Sequence, residues 1–152
     1  MFSFCKMQIA GDDFILIDNS KNEFEYSYKL LSEFLCNRHY GVGANALLII
    51  ETSEIVDFKM KIFDNKGDEV QISGNGLICL AQYLHEENLI HKPEFYIETL
   101  ASIKKVKVKV EEGIVMEIES DLENMAEVIE NNEIKNILKG KAKKVFSGEI
   151  KI

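Results

Sequence analysis

The sequence predicts an α+β fold in which β-strands wrap round one central, buried helix. Three observations carry this. Short apolar or alternating runs bounded by turn residues recur along the chain. Leu77 to Leu84 is apolar nearly all round, as a buried helix must be. At 152 residues the chain is long enough for one sizeable core, and one domain is the expectation.

In order, Phe2 to Ile9 and Phe14 to Asp18 read as strands joined by a turn at Gly11-Asp12-Asp13. Leu30, Leu31, Phe34 and Leu35 recur at helical spacing, so Tyr28 to Cys36 reads as a helix capped by Ser27. Ala46 to Glu51 and Asp57 to Phe63 are strands. Asp64-Asn65-Lys66-Gly67 is a hairpin turn, from which Glu69 to Ile72 returns antiparallel. Ser73-Gly74-Asn75-Gly76 then leads straight into the apolar helix. After Pro93, Glu94 to Glu98 is a strand, and Lys105 to Val110 with Ile114 to Glu119 forms a hairpin about Glu111-Glu112-Gly113 with one solvated face. Asp121 to Gly140 is expected to be a linker that becomes a short helix stopped near Gly140. Lys144 to Ile152 alternates like a terminal strand, with a bulge at Gly148.

Composition narrows the function. Hydrophobic residues at 46% and charged residues at 29% describe a globular chain. A formal charge of -8 argues against nucleic acid, since neutralising phosphates takes clustered Lys and Arg, and against anionic lipid. The first residues lack a signal-peptide pattern and no later run is long enough to span a bilayer, so a cytoplasmic protein is expected. Cys5, Cys36 and Cys79 lack metal-type spacing and read as free thiols in the core. His39, His85 and His91 have no companions that would suggest a metal site.

Four ordered segments carry a resemblance: Lys6-Met7 with Gly11-Asp12-Asp13-Phe14; Asn37-Arg38-His39-Tyr40-Gly41-Val42-Gly43-Ala44; Asp57 to Asp64 with Gly67; and Ser73-Gly74-Asn75-Gly76 with Cys79 before Glu98-Thr99-Leu100-Ala101. Together they resemble the N-terminal half of the diaminopimelate epimerase family, and the resemblance implies an α+β domain whose mixed, partly closed β-sheet wraps around the central helix. The likeness runs from residue 1 to about 119 and resumes at Gly140-Lys141-Ala142 and Val145 to Ile150, which resemble the family's closing strand. The expected organisation is one epimerase-like domain: 1–119 its core, 120–139 a bridge, 140–152 the closing strand, with the second domain missing.

The resemblance implies a cofactor-independent isomerase of amino acids, in the lysine and meso-diaminopimelate biosynthesis family, with no metal. Inversion at an α-carbon needs acid/base groups on both faces. In the family these are two cysteines, one from each domain. Here Ser73 stands at the first position, a hydroxyl with no evident base beside it, and the second position belongs to the missing domain. Asp12 and Asp64 stand where the family has donating amides, Asn45-Ala46 follows the Gly-Val-Gly turn, and Gly74, Asn75 and Gly76 remain as N–H donors for an anionic ligand. Alternatively, the glycines only permit a sharp turn and Ser73 or Asn75 caps the helix. Cys79 matches a loop-motif cysteine but falls on the apolar helix, where a core role is expected. Two functions follow: a noncatalytic binding, regulatory or assembly module, or an epimerase or racemase whose cleft is rebuilt by a homodimer or a partner chain.

Overall fold

The computed structural model describes residues 2–71, 73–121, 128–130, 133–135 and 137–151. Among these described residues, twelve strands and two helices follow in the order β1 (Phe2–Ile9), β2 (Asp12–Asp18), α1 (Tyr28–Leu35), β3 (Ala46–Glu51), β4 (Phe58–Asp64), β5 (Glu69–Val70), α2 (Gly74–Glu86), β6 (Glu94–Glu98), β7 (Ile103–Glu111), β8 (Ile114–Asp121), β9 (Val128–Glu130), β10 (Glu133–Lys135), β11 (Ile137–Gly140) and β12 (Lys143–Ile150). The main sheet runs β11-β8-β7-β6-β4-β3-β2-β1-β12, with β5 beside β4, while β9 and β10 pair separately. It is mixed, because β2–β3 and β4–β6 are parallel and the remaining neighbours antiparallel.

Period-two alternation sorts the central strands into two layers. Phe14, Leu16, Leu48, Ile50, Met60 and Ile62 face α2, whose Leu77, Ile78, Cys79, Leu80, Ala81 and Leu84 join the same core. Ile15, Ile17, Leu47, Ile49 and Phe63 face the other way and pack with Leu31 and Leu35 of α1. Burial on both faces explains why β2 and β3 read as unbroken apolar runs. The two terminal strands of the main sheet, β11 and β12, are separated in the chain only by Lys141 and Ala142, so this short link draws the sheet's ends together around α2. Gln82 on α2 fastens it: its Nε2 donates to the Ala142 carbonyl and its Oε1 accepts from the Ala142 N–H, both at 2.8 Å.

Four expectations need correction. The first turn is Ala10-Gly11, at φ 50° and 83°, because a two-residue hairpin requires two left-handed residues; Asp12 and Asp13 are thereby strand residues, with Ile9 opposite Asp12. The segment before Gly140 shows no helix among its described residues. It pairs as β11 along the open edge of β8, and Gly140 is a point of close approach, where a Cβ would stand 3.0 Å from Ile9 and 3.3 Å from Ile78. The extra residue of β12 is Val145, not Gly148, since Lys6 faces Phe146 and Met7 faces Lys144. Gly148 instead leaves room for the Phe4 ring, 3.2 Å from where its Cβ would be. Finally, the returning strand is described only at Glu69–Val70, and Ile72 lies outside the described residues, as do 122–127, 131, 132 and 136 of the expected linker.

Candidate ligand site at the start of the central helix

Ser73 is extended, at φ -134° and ψ 121°, and its Oγ accepts from the Gly76 N–H at 3.1 Å. That is an N-cap, and it fixes how the chain turns from strand into helix. Gly76 is packed tightly: a Cβ there would lie 3.3 Å from Leu48 and from the Ser73 side chain. The N–H groups of Gly74 and Asn75, in the first turn, have no acceptor within the helix.

The sheet brings Asp12 to this turn. It stands on the α2-facing side of β2, two residues before Phe14. Its carboxylate accepts from Asn45 Nδ2 at 2.6 Å and from Asn75 Nδ2 at 3.4 Å. The side-chain amides that flank the helix start therefore already serve an internal carboxylate. Asp64 shares the same sheet face, because it pairs with Ala46, which pairs with Phe14. Its Oδ1 is committed to its own turn, accepting from the N–H groups of Lys66 and Asp68 at 2.9 and 3.0 Å. Of the sequence-predicted site residues, Ser73 to Gly76 thus form one capped turn, Asp12 is bonded to that turn through Asn75, and Asp64 is tied to the neighbouring turn.

Two residues that sequence reasoning passed over hold the wall behind Asp12. Asp13, on the opposite face of β2, accepts both guanidinium nitrogens of Arg38 at 3.0 and 2.9 Å and the Asn45 N–H at 2.9 Å, and lies 3.4 Å from the Lys6 ammonium. Burial pushes the Asp13 carboxyl up, but the Arg38 and Asn45 hydrogen bonds and the Arg38 and Lys6 charges outweigh it and hold the group below its ordinary value. Arg38 also donates to Asn45 Oδ1 at 3.2 Å, which orients the amide that Asp12 receives. The sequence signal was the Asp-Asp pair in a strand, where alternation sends the two carboxylates to opposite faces.

The three cysteines are free and buried. Burial raises Cys79 to about 12, with the Asp12 charge adding to it, and likewise raises Cys36 to about 12 and Cys5 to about 11. Cys79 is fully buried in the core around α2, as expected. His85 bonds the Lys92 carbonyl at 2.8 Å, and among the described residues no group of three metal-ligating side chains occurs. No helix of the described residues is long and apolar enough to cross a membrane.

The family model for diaminopimelate epimerase matches residues 4–123. Curated relatives include diaminopimelate epimerase of Alkaliphilus metalliredigens, 35% identical over 122 residues that make up 80% of this chain and 43% of that one. The Caldanaerobacter subterraneus enzyme is 38% identical over 76% of this chain and 41% of its own length. The chain thus spans less than half the length of these relatives. Among solved structures, methylitaconate-delta-isomerase superposes with a TM-score of 0.72 at 13% identity, over 97% of this chain and 93% of that chain. A hydroxyproline epimerase from Agrobacterium vitis, solved with trans-4-OH-L-proline bound, gives 0.63 at 15% identity over 78% of this chain and 40% of that one. At such identities these likenesses establish the fold.

Proposed function

This chain belongs to the diaminopimelate epimerase family, and from that premise we propose that it is a homologue that binds without inverting a stereocentre by itself. It acts as a binding, regulatory or assembly module beside the meso-diaminopimelate step of lysine biosynthesis. The observation that carries the reading is the state of position 73. A hydroxyl stands there, its oxygen is used as a helix cap, and the side chains bonded to the same turn are Asn75, Asp12 and, through Asp12, Asn45. A serine hydroxyl needs an adjacent base to act as a nucleophile or proton acceptor. The nearest hydrogen-bonded carboxylate, Asp12, is joined to Asn75 and not to Ser73.

What remains is one wall of a cleft, with Ser73, Gly74, Asn75 and Gly76 as its floor and Asp12 and Asp64 beside it. A small amino-acid-like ligand fits this wall by placing its ammonium against Asp12 and its carboxylate toward the free N–H groups of the first turn. In this reading residues 1–119 form the core of the unit, 120–139 bridge, and 140–152 close it. A cytoplasmic location, without nucleic acid or membrane, belongs to the same proposal and fits three free, buried thiols.

The second reading, an epimerase completed by a homodimer or a separate chain, needs an acid/base group on the opposing wall. Titrating isotopically labelled protein with meso-diaminopimelate tests both. Binding without turnover moves the amide resonances of Gly74 to Gly76. Release of α-deuterated product, in step with a sedimentation shift to a dimer, overturns the proposal in favour of the second reading.

A further inference from the structure

β12 forms one margin of the main sheet and has a strand on one side only. It pairs with β1, and among the described residues no other strand lies along its free edge. Its residues are exposed or half-buried throughout, with Val145 and Phe146 at 50% and 44% exposure. Such an edge offers a row of backbone N–H and C=O groups to a further strand. Charge limits what that strand can be, because the edge begins with Lys143 and Lys144 and carries Glu149 near its end.

The register against β1 sorts these side chains. Lys144 and Ser147 stand opposite Met7 and Cys5, which belong to the core around α2, and Glu149 stands opposite Ser3 on the same face. The Lys144 ammonium accordingly lies 3.9 Å from the Glu87 carboxylate, just past α2. Phe146 and Gly148 take the other face, where the Phe146 ring meets Phe4 edge-on at a centroid distance of 5.7 Å. Because Val145 is the extra residue of the bulge, Lys144 and Glu149 share a face although they are an odd number of positions apart.

A second copy of β12, laid antiparallel about a two-fold axis at Ser147, matches this edge position by position. Ser147 meets the partner's Ser147, and Phe146 covers the partner's Gly148. The bulges bring Lys144 opposite the partner's Glu149, twice by symmetry. Lysines that deter an arbitrary strand are thus answered by carboxylates, and a bare glycine receives an aromatic ring. The pairing consumes both free β12 edges, so it closes at two chains.

We infer that the chain self-associates through β12 as a two-fold dimer with one continuous sheet. A single strand pair buries less than the roughly 1,200–2,000 Å² of stable complexes, so the dissociation constant is on the order of 10–100 μM. The inference rests on neither reading of the ligand site: Ser73 to Gly76, Asp12 and Asp64 take no part in it, and its test reads no turnover.

Sedimentation velocity of the purified chain from about 1 μM to about 1 mM should show a monomer passing to a dimer and no further. Glu149→Lys should raise the dissociation constant by about tenfold or more, and adding Lys144→Glu to it should bring the constant back to within about threefold of the unmodified chain. Under mild oxidation Ser147→Cys should give a disulfide-linked dimer, while Glu149→Cys, which has the partner's Lys144 opposite it, should not; the native thiols are buried and stay out of the reaction. A chain that remains monomeric throughout overturns the inference, and protection of its β12 amides from hydrogen exchange would then identify the occupant of the edge as a segment of the same chain. A dimer that Glu149→Lys leaves unchanged, or that the double reversal fails to restore, also overturns it. If the charge variants do not fold, the cross-linking of Ser147→Cys decides alone, and its absence overturns the pairing.

Discussion

Gln82→Leu is the substitution most informative about how the sheet closes. Gln82 is 3% exposed and is the partner of both main-chain groups of Ala142, itself 3% exposed. Leucine has similar bulk but neither donor nor acceptor, so the Ala142 N–H and carbonyl would both be left buried and unpaired. Each such group costs about 1–3 kcal/mol, or roughly 2–6 kcal/mol for the pair. The apolar side chain recovers about 1 kcal/mol through transfer from water. A net loss of about 3 kcal/mol is expected. Because the lost bonds hold the link between β11 and β12, the loss should appear first as local opening. Native-state hydrogen exchange should quicken by about 100-fold for the amides of Lys143–Ile150, against a smaller change in β3. Urea unfolding followed by circular dichroism gives the global part. A stability change under about 0.5 kcal/mol, with unchanged exchange in β12, would refute the idea that Gln82 fastens the closing strand.

Asp13→Asn should lower stability by about 1–2 kcal/mol at pH 6, a figure kept small because Arg38 is half exposed. Asp13 is held below its usual range in the folded state, so its contribution is complete above the ordinary carboxylate pKa. It is lost as pH falls through the lowered value, and the two urea-unfolding curves should converge in acid; a difference that grows on acidification would contradict the assignment. Gly41→Ala should destabilise by about 3 kcal/mol or more, since a Cβ there would stand 2.0 Å from the Phe34 carbonyl oxygen. Gly11→Ala, where the space is open but φ is 83°, should cost only about 1 kcal/mol, and thermal unfolding of the two variants checks the ordering. The three native thiols, raised by burial, should resist an aromatic disulfide reagent at pH 8 until the chain is unfolded, whereas Ser73→Cys should add one thiol that reacts in the native state. Rapid native labelling of the unmodified chain would contradict the burial.

Much of the fold was legible because burial writes itself into periodicity. β2 and β3 are apolar on both faces, and α2 is apolar nearly all round, because each is enclosed by layers on either side. The pieces that escaped were set by tertiary closure. Residues 137 to 140 carry a pattern that suits a helix as well as a strand, and the open edge of β8 decided for the strand. Gly148 looked like a bulge residue, yet what it meets is a ring from a distant strand, which local sequence does not reveal.

The candidate site was legible in its linear motif, Ser73 to Gly76, and in Asp12, which the hairpin brings to that motif. Asn45 and Arg38 were less so, because their roles come from bonds that join residues 7 to 33 positions apart.

The central claim is that position 73 no longer moves a proton. Deuterium incorporation at the α-carbon of meso-diaminopimelate in heavy water, catalysed by purified protein and read by mass spectrometry, tests it most directly. The account predicts no incorporation above the protein-free rate. Incorporation by the unmodified chain that disappears in Ser73→Ala would contradict it and make Ser73 a working base.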